Sequence, residues 1–497
     1  MRELFGKDRI CAVVAAPTAL EMKKRLGEAL RRTRTVELRL DYLKSDSEMD
    51  RFLGWWRDHP IDARVIATCR RTPEGRFRGD ADEQAGVLAT AADCGAAWCD
   101  LEETPGMPQE TMLTQLFLGE ARTLLSYHNF RETPRDLASI LRRMQRAGAD
   151  AVKIATQCRS YADSLRVLAL ATGRGDLIAV PMGDAGLPAR VLTLRQGSPL
   201  AYAAAGEATA PGQLTVEEMK DLYRADKLDR RTRVYGVIGE PVGHSLSPAM
   251  QNAGFQARGV NAVYLPFLVP DLEDFLGAVG PLGIAGFSVT LPHKQRILEH
   301  LDDCDPLAAL MGAVNTVVVR AGGKLYGYNT DYVGVLRAIE RRLPLAGSRT
   351  LLYGAGGAAR AAAFALAQAG AMVCVCARRR KQAEALAQSV GGVAVDRRQL
   401  RREFFDAIVN TTPVGMYPHV RETPLAPEEL NCRLVMDLIY RPAQTRLLQL
   451  AKRRGLETAS GVEIFLAQGT AQWEIWMGER APHAAMKKAL MAKLAKN

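Results

Sequence analysis

A lysine set in an apolar run is the first residue in this sequence that could do covalent chemistry. In AVKIAT, Lys153 lies between Val152 and Ile154, and the two-residue period of a strand turns its side chain away from both. In VELRLD the same period puts Glu37, Arg39 and Asp41 on one face and Val36, Leu38 and Leu40 on the other. Two further runs end at Arg70 and at His128, with Glu74 just behind the first. Desolvation beside cations such as Arg39 or Arg70 favours the neutral amine of a lysine, and a neutral amine attacks a ketone to give a Schiff base. Lys153 is therefore the candidate nucleophile, with His128 as its proton-transfer partner.

A second set of polar residues lies further along. VYGVIGEPVGHSLSP presents Ser245 and Ser247 in one loop, where serines either bind a ligand or cap the helix that follows. GFSVTLPHK carries Thr290 and Lys294, GAVNTV carries Asn315, and GYNTDYVG carries Asp331. A lysine and an aspartate in such turns suit an acid/base pair beside a polar ligand, or an ordinary surface ion pair. Beyond them, TLLYGAGGAARAAAFALAQAGAMVCVCARRR reads as strand, Gly-rich turn, helix and strand, with Gly354, Gly356 and Ala359 matching G-x-G-x-x-A. That pattern lets backbone approach a pyrophosphate at a helix N-terminus. Arg378, Arg379, Arg380 and Lys381 follow the second strand, where an acidic residue would accept the ribose 2'-hydroxyl of NAD. A basic cluster there suits a 2'-phosphate, so NADP(H) is the expected cofactor.

The elements that must position these residues follow from the apolar pattern. Eight short apolar runs, 10–15, 35–41, 64–70, 96–102, 122–128, 149–156, 176–182 and 199–205, alternate with helix-compatible stretches such as 19–31, 84–93, 136–147 and 160–171. That alternation predicts a (β/α)8 barrel with its site at the C-terminal ends of the strands, where Arg70 and His128 fall. A charged strand face in such a barrel points inward, because helices cover the outside. The chain has 497 residues, 47% hydrophobic and 24% charged, which fits several domains of a soluble protein. Nothing resembles a secretory leader or a membrane span, so a cytoplasmic protein is expected. The nine cysteines are scattered, and neither a disulfide framework nor a metal site is expected. The net charge of +11 is spread along the chain and favours small anionic substrates over nucleic acid.

Taken in order, VELRLDYL, TCRRTPEG, SYHNF, AVKIA, VPMGDAGLPARVL and TAPGQ resemble type I 3-dehydroquinate dehydratase over residues 8–215. The resemblance implies an imine between Lys153 and the C3 ketone of 3-dehydroquinate, with His128 removing the C2 proton and helping the C1 hydroxyl leave. It implies that Glu74 orients His128, that Arg190 holds the substrate carboxylate, and that Glu37, Arg39, Arg70, Thr209 and Gln213 contact hydroxyls or order the pocket. Val180 stands where Met is frequent, and Thr209 where Ser is. From Val234 onward, HSLSP, SVTLPHK, GAVNT, YNTDYVG, YGAGGAARA, NTTPVGM, DLIYRP and GVEIFLAQG resemble shikimate dehydrogenase. This second resemblance implies a Lys294–Asp331 catalytic pair, with Ser245, Ser247, Thr290, Asn315, Tyr440 and Gln468 holding shikimate. Gly354, Gly356, Gly357, Ala358, Arg378, Arg379, Thr411 and Met416 would bind the cofactor. Ala377, Arg378 and Arg379 stand where Asn-Arg-Thr is common, and Ser288 where Asn is frequent.

The expected architecture is an N-terminal TIM barrel, residues 1–215, followed by a two-domain module with a Rossmann-type NADP domain. Residues 216–232 read as a charged, solvated connector, 233–338 with 461–497 as the substrate-binding domain, and 339–460 as the nucleotide domain. The expected activity is a bifunctional enzyme acting on 3-dehydroquinate, 3-dehydroshikimate and shikimate. The alternatives are catabolic oxidation of quinate or shikimate, and a metabolite sensor built from degenerate copies, against which the four groups Lys153, His128, Lys294 and Asp331 stand.

Overall fold

Each of the eight apolar runs becomes a strand. The computed structural model, which describes residues 5–73, 75–103, 119–206 and 212–496, begins with β1 (Ile10–Val14), β2 (Thr35–Arg39), β3 (Arg64–Thr68), β4 (Trp98–Glu102), β5 (Arg122–Asn129), β6 (Ala151–Gln157), β7 (Leu177–Met182) and β8 (Ala201–Ala204). They form one parallel sheet in the order β7-β6-β5-β4-β3-β2-β1-β8. Among the described residues no ladder joins β7 to β8, so the barrel is nearly closed. Helices cover its outside: Leu137–Arg146 buries Leu137, Ile140, Leu141 and Met144, the stripe a 3.6-residue period produces.

Inward side chains stack in layers, as parallel barrel strands require. Cys11, Ile66, Trp98, Leu124, Ala151, Ile178 and Leu200 belong to one apolar cluster nearer the N-terminal ends of the strands. One two-residue step along each strand come Val13, Thr68, Asp100, Ser126, Lys153, Val180 and Tyr202. In that layer Thr68 pairs in register with Asp100, and Ser126 with Lys153.

The connector differs from its sequence reading. Residues 216–232 form a π-helical turn, Glu218–Leu222, and a 3-10 turn, Ala225–Lys227. Val216, Met219, Tyr223, Ala225 and Leu228 are buried. Lys220 donates to Asp8 at 3.0 Å and to the Arg32 carbonyl at 2.6 Å, and Arg9 donates to the Leu228 carbonyl at 3.2 Å. The charges form an outer face, while apolar residues at helical spacing hold the segment against its own unit.

Packing divides the chain into Met1–Val234 with Asn261–Ile284, and Tyr235–Val260 with Ala285–Asn497. The first unit therefore takes in β10 (Ala262–Leu268) and the helix Leu272–Leu282. Tyr161 explains this: its ring meets Phe267 and Phe275 and its hydroxyl donates to the Leu268 carbonyl at 2.8 Å. The helix Tyr161–Ala171 leaves first-turn N–H groups without intrahelical partners; Ser160 accepts one, from Asp163. Asp274 accepts two more, from Tyr161 at 2.6 Å and Ala162 at 3.1 Å.

The second unit holds two sheets. In one, β9 (Arg233–Gly239), β11 (Ile284–Val289), β13 (Thr316–Val319), β14 (Leu325–Tyr328) and β12 (Asp303–Cys304) follow one another. In the other, β15 (Arg349–Tyr353), β16 (Met372–Cys376), β17 (Val393–Ala394), β18 (Phe405–Asn410), β19 (Cys432–Asp437) and β20 (Glu457–Ala459) are parallel in the order β17-β16-β15-β18-β19-β20. That is the 3-2-1-4-5-6 order of a dinucleotide-binding sheet, with the chain reversal beside β15.

Asp274→Ala is expected to lower the unfolding free energy by about 1 kcal/mol, the usual worth of an N-terminal cap. Urea titration reads this as a lower midpoint at unchanged slope; an unmoved midpoint would mean that the cap contributes nothing.

Candidate active sites

A cavity of about 140 Å³ in the barrel is lined by Glu37, Arg39, Arg70, His128, Lys153, Arg190 and Gln213, together with Tyr42, Phe130, Val180 and Tyr202. Parallel strands and their alternating side chains bring these residues together from β2, β5, β6, β7 and β8 and from the segments that follow β2, β3, β5, β7 and β8. Glu74 and Thr209 lie outside the described residues. Lys153 donates to Glu37 at 3.2 Å and to Asp100 at 3.0 Å. Its nearest charged neighbours are thus carboxylates rather than the guanidinium groups the sequence suggested. Arg70 contacts Asp100 at 3.4 Å and Glu102 at 2.8 Å, and Arg39 makes a two-pronged pair with Asp41 at 2.9 and 2.8 Å.

The electrostatics assign protonation states. Burial alone would raise the Asp100 carboxyl, but Lys153 and Arg70 beside it and the Ser126 hydroxyl at 2.5 Å hold it below its ordinary value. Burial, and then Arg70, Lys153 and Arg39, push His128 well below the ordinary imidazole value, so it is neutral at pH 7. Its Nδ1 has no hydrogen-bond partner among the described residues. Arg190 is buried, donates to the Pro181 carbonyl at 2.8 Å, and has no carboxylate partner among the described residues; burial draws it down to about 10. Asp100, Ser126 and Tyr202 were not legible as site residues. Their inward position, one period from Trp98, Leu124 and Leu200, is the signal that identifies them.

The second cavity, about 430 Å³, is lined by Ser245, Ser247, Ser288, Thr290, Lys294, Asn315, Asp331, Tyr440, Gln468 and Gln472. Lys294 donates to Asp331 Oδ2 at 2.5 Å. Asn315 donates to Asp331 Oδ1 at 2.8 Å and to Thr330 at 3.0 Å, while its own oxygen accepts from the Thr330 backbone at 2.7 Å. The amide thereby fixes the rotamer of the aspartate. Gln472, which the sequence reading missed, reaches from the helix Gly461–Met477 to the Asn315 carbonyl at 3.1 Å and accepts from Ser288 at 2.9 Å. The Ser245 hydroxyl accepts from the Ser247 backbone at 3.2 Å where the helix Ser247–Arg258 begins, and both serines line the cavity. The Tyr440 ring packs on Phe465.

The third cavity, about 780 Å³, holds Gly354, Gly356, Arg378, Arg379, Arg380 and Arg397. Gly354 has φ +125°, and a Cβ there would stand 2.4 Å from Thr411 Oγ1, whose hydroxyl is held by the Tyr353 carbonyl at 2.9 Å. Gly356 and Gly357 begin the helix Gly357–Gln368, with open space where a Cβ would sit. Arg378 and Arg379 are exposed and have no ion-pair partner among the described residues. Close backbone, a helix N-terminus and two free guanidinium groups fit a dinucleotide with a 2'-phosphate. Ala358 lines the second cavity instead, and Met416 is exposed outside both linings.

Comparison with known proteins agrees with this geometry. The chain matches the type I 3-dehydroquinase family over residues 10–230, the shikimate dehydrogenase substrate binding domain over 237–317, and the shikimate 5'-dehydrogenase C-terminal domain over 461–491. The chloroplastic bifunctional 3-dehydroquinate dehydratase/shikimate dehydrogenase of Arabidopsis thaliana is 36% identical over 472 residues, covering 90% of this chain and 78% of the plant protein. The NADP(+) shikimate dehydrogenase of Methanopyrus kandleri is 43% identical over 54% of this chain and 98% of its own. A shikimate dehydrogenase crystallised with NADP+ superposes with TM-score 0.50 at 38% identity, over 53% of this chain and 96% of that one.

Gly354→Ala is expected to weaken dinucleotide binding roughly tenfold or more, through a strained φ and a steric clash, while leaving the barrel cavity intact. Fluorescence titration checks this, and unchanged affinity would show that close backbone approach at this position is not needed.

Proposed function

We infer the roles of individual residues from one premise: the chain belongs to the bifunctional 3-dehydroquinate dehydratase/shikimate dehydrogenase family. It dehydrates 3-dehydroquinate to 3-dehydroshikimate and reduces that product to shikimate with NADPH, consecutive reactions of the shikimate pathway.

The dehydratase reading is carried by three groups around one cavity: an amine, a neutral imidazole, and a buried guanidinium without a carboxylate partner among the described residues. Arg190 takes the substrate carboxylate in a two-pronged contact. Lys153 passes a proton to Glu37 or Asp100, which already accept from it, and its amine attacks the C3 ketone. Loss of water leaves a cationic imine that acidifies C2. His128 removes the C2 proton, the electron pair moves through the enamine to expel the C1 hydroxyl, and the same imidazole returns the proton so that water leaves. A second water hydrolyses the imine and frees the product and Lys153. Glu74 orients His128, and Glu37, Arg39, Arg70, Thr209 and Gln213 order the substrate hydroxyls.

In the dehydrogenase, Lys294 donates a proton to the C3 oxygen, and Asp331, braced by Asn315, holds the ammonium toward it. NADPH, when bound, supplies the hydride that ends on C3. Gly354, Gly356 and Gly357 admit its pyrophosphate, Arg378 and Arg379 take its 2'-phosphate, and Thr411 holds the loop that Gly354 approaches. Ser245, Ser247, Thr290, Asn315, Tyr440 and Gln468 hold the carboxylate and hydroxyls of shikimate, and the two serines favour shikimate over quinate. We assign residues 1–215 to the dehydratase, 216–232 to the connector, 233–338 with 461–497 to the substrate domain, and 339–460 to the nucleotide domain. The contact from Gln472 to Asn315 supports that completion by the C-terminal helix. No helix among the described residues is long and apolar enough to cross a membrane. Nine unpaired cysteines, eight of them buried, fit the reducing cytoplasm, where we place the enzyme.

Lys294→Ala is expected to cut NADPH oxidation by roughly 10²–10⁴-fold with dehydration unchanged, and Lys153→Ala to do the reverse. Separate assays of the two steps check this; loss of both activities in either variant would refute the division of labour. Because His128 is held neutral below the ordinary imidazole value, its base form persists as pH falls through about 6.5. Dehydratase kcat/KM should stay level there and decline only at lower pH, whereas an acidic limb at or above that value would count against His128 as the base.

A further inference from the structure

One contact of Lys153 has no part in the steps above. Tyr202 faces inward from β8, and its ring centroid lies 4.2 Å from the Lys153 nitrogen. The residue is buried and lines the barrel cavity, yet its phenol oxygen has no hydrogen-bond partner among the described residues. The hydroxyl therefore anchors none of the described residues, and what the side chain offers to Lys153 is the face of its ring. Among the described residues the nitrogen's hydrogen bonds go to the carboxylates of Glu37 and Asp100.

These contacts respond unequally to imine formation. Condensation forms a C=N bond, breaks the ketone C–O bond and releases water, so a nitrogen that carried three N–H donors as an ammonium keeps one. One donor serves one carboxylate at a time. A ring face attracts a cation through its quadrupole and needs no donor, so its hold on the nitrogen survives the change. An imine withdraws electrons from C2 effectively only while it is cationic, so whatever keeps the charge on nitrogen sustains the reaction.

We propose that Tyr202 is a positioning residue of the dehydratase: its ring face holds the Lys153 nitrogen and keeps it cationic once the imine has formed, while its hydroxyl takes no part. The proposal rests on the Lys153 imine reading given above.

The test uses the full chain with Tyr202→Phe and with mono-, di- and trifluorinated phenylalanine at the same position, which keep the ring shape while draining its π density. Each protein is incubated at one pH with 3-dehydroshikimate and sodium cyanoborohydride, which reduces the cationic imine, and mass spectrometry measures the adduct on Lys153. Tyr202→Phe should trap at the wild-type rate within about twofold, and trapping should fall with each fluorine to roughly a fifth or less in the trifluorinated protein, at unchanged Tm. A flat series would overturn the proposal, and so would a Tyr202→Phe protein that traps as poorly as the trifluorinated one, since the hydroxyl would then be the active group. Absence of any adduct in the wild type would instead overturn the imine reading itself, so the two failures are distinguishable.

Discussion

The barrel interior is organised around the need to neutralise Lys153 away from water. A buried charge is tolerated only when partners replace its hydration, and removing one partner of a buried pair typically costs about 3–5 kcal/mol. Glu37 and Asp100 supply that compensation from β2 and β4, and they are themselves held by Thr68 at 2.9 Å and Ser126 at 2.5 Å. The same strands place an apolar layer beneath them, so the polar layer is confined to one level of the barrel. Arg39 and Arg70 each meet a carboxylate as well. Arg190 is the exception among the described residues, where its guanidinium meets a carbonyl, and this suits the substrate carboxylate we propose it holds. The cavity is thus complementary to an anion at one point and to a ketone at another.

The dehydrogenase pair obeys a different balance. Lys294 and Asp331 keep 28% and 32% of their side-chain surface, so solvent screens them and the pair adds little to stability. Its geometry is set by neighbours rather than by its own attraction. Asn315 holds one aspartate oxygen and leaves the other to Lys294, and Gln472 in turn holds Asn315. The two lysines therefore sit in unlike surroundings, one buried and one partly exposed. The buried one lies between fixed carboxylates and is the covalent electron sink in the mechanism we propose. The partly exposed one is open to solvent, which suits the proton donor we propose it to be.

Much of this was legible because period-two and period-3.6 patterns carry over directly into strands and helices. Lys153, Glu37, Arg70 and His128 meet in one cavity because a parallel barrel gathers strand ends, and Lys294 meets Asp331 as the turn spacing suggested. Asp100 was not legible, because one acidic residue in WCDLE looks like any polar residue at the end of a strand until the barrel closes around it. Tyr202 was hidden for the opposite reason: an aromatic in AYAA looks like ordinary core. The connector misled through its charges, since the apolar residues Val216, Met219 and Tyr223 decide its packing. The neighbours of Lys153 also differ from the sequence reading, because which inward side chains reach it across the barrel, Glu37 from β2 and Asp100 from β4, is set by register and layer rather than by any local pattern.

The arginines of the nucleotide cavity show why position matters more than charge density. Arg397 makes a two-pronged pair with Glu429 at 2.7 and 2.9 Å and also donates to the Tyr353 hydroxyl at 3.0 Å. Its charge is already neutralised, and it serves as a fixed wall beside the end of β15. Arg378 and Arg379 follow β16 without such partners among the described residues, and their charge remains available to a phosphate. Forming that contact displaces only water and counterions rather than an existing carboxylate, so the full attraction goes into discrimination. In the reading we propose, the preference for a 2'-phosphate rests on these two surface guanidinium groups, at the price of an attraction that salt screens.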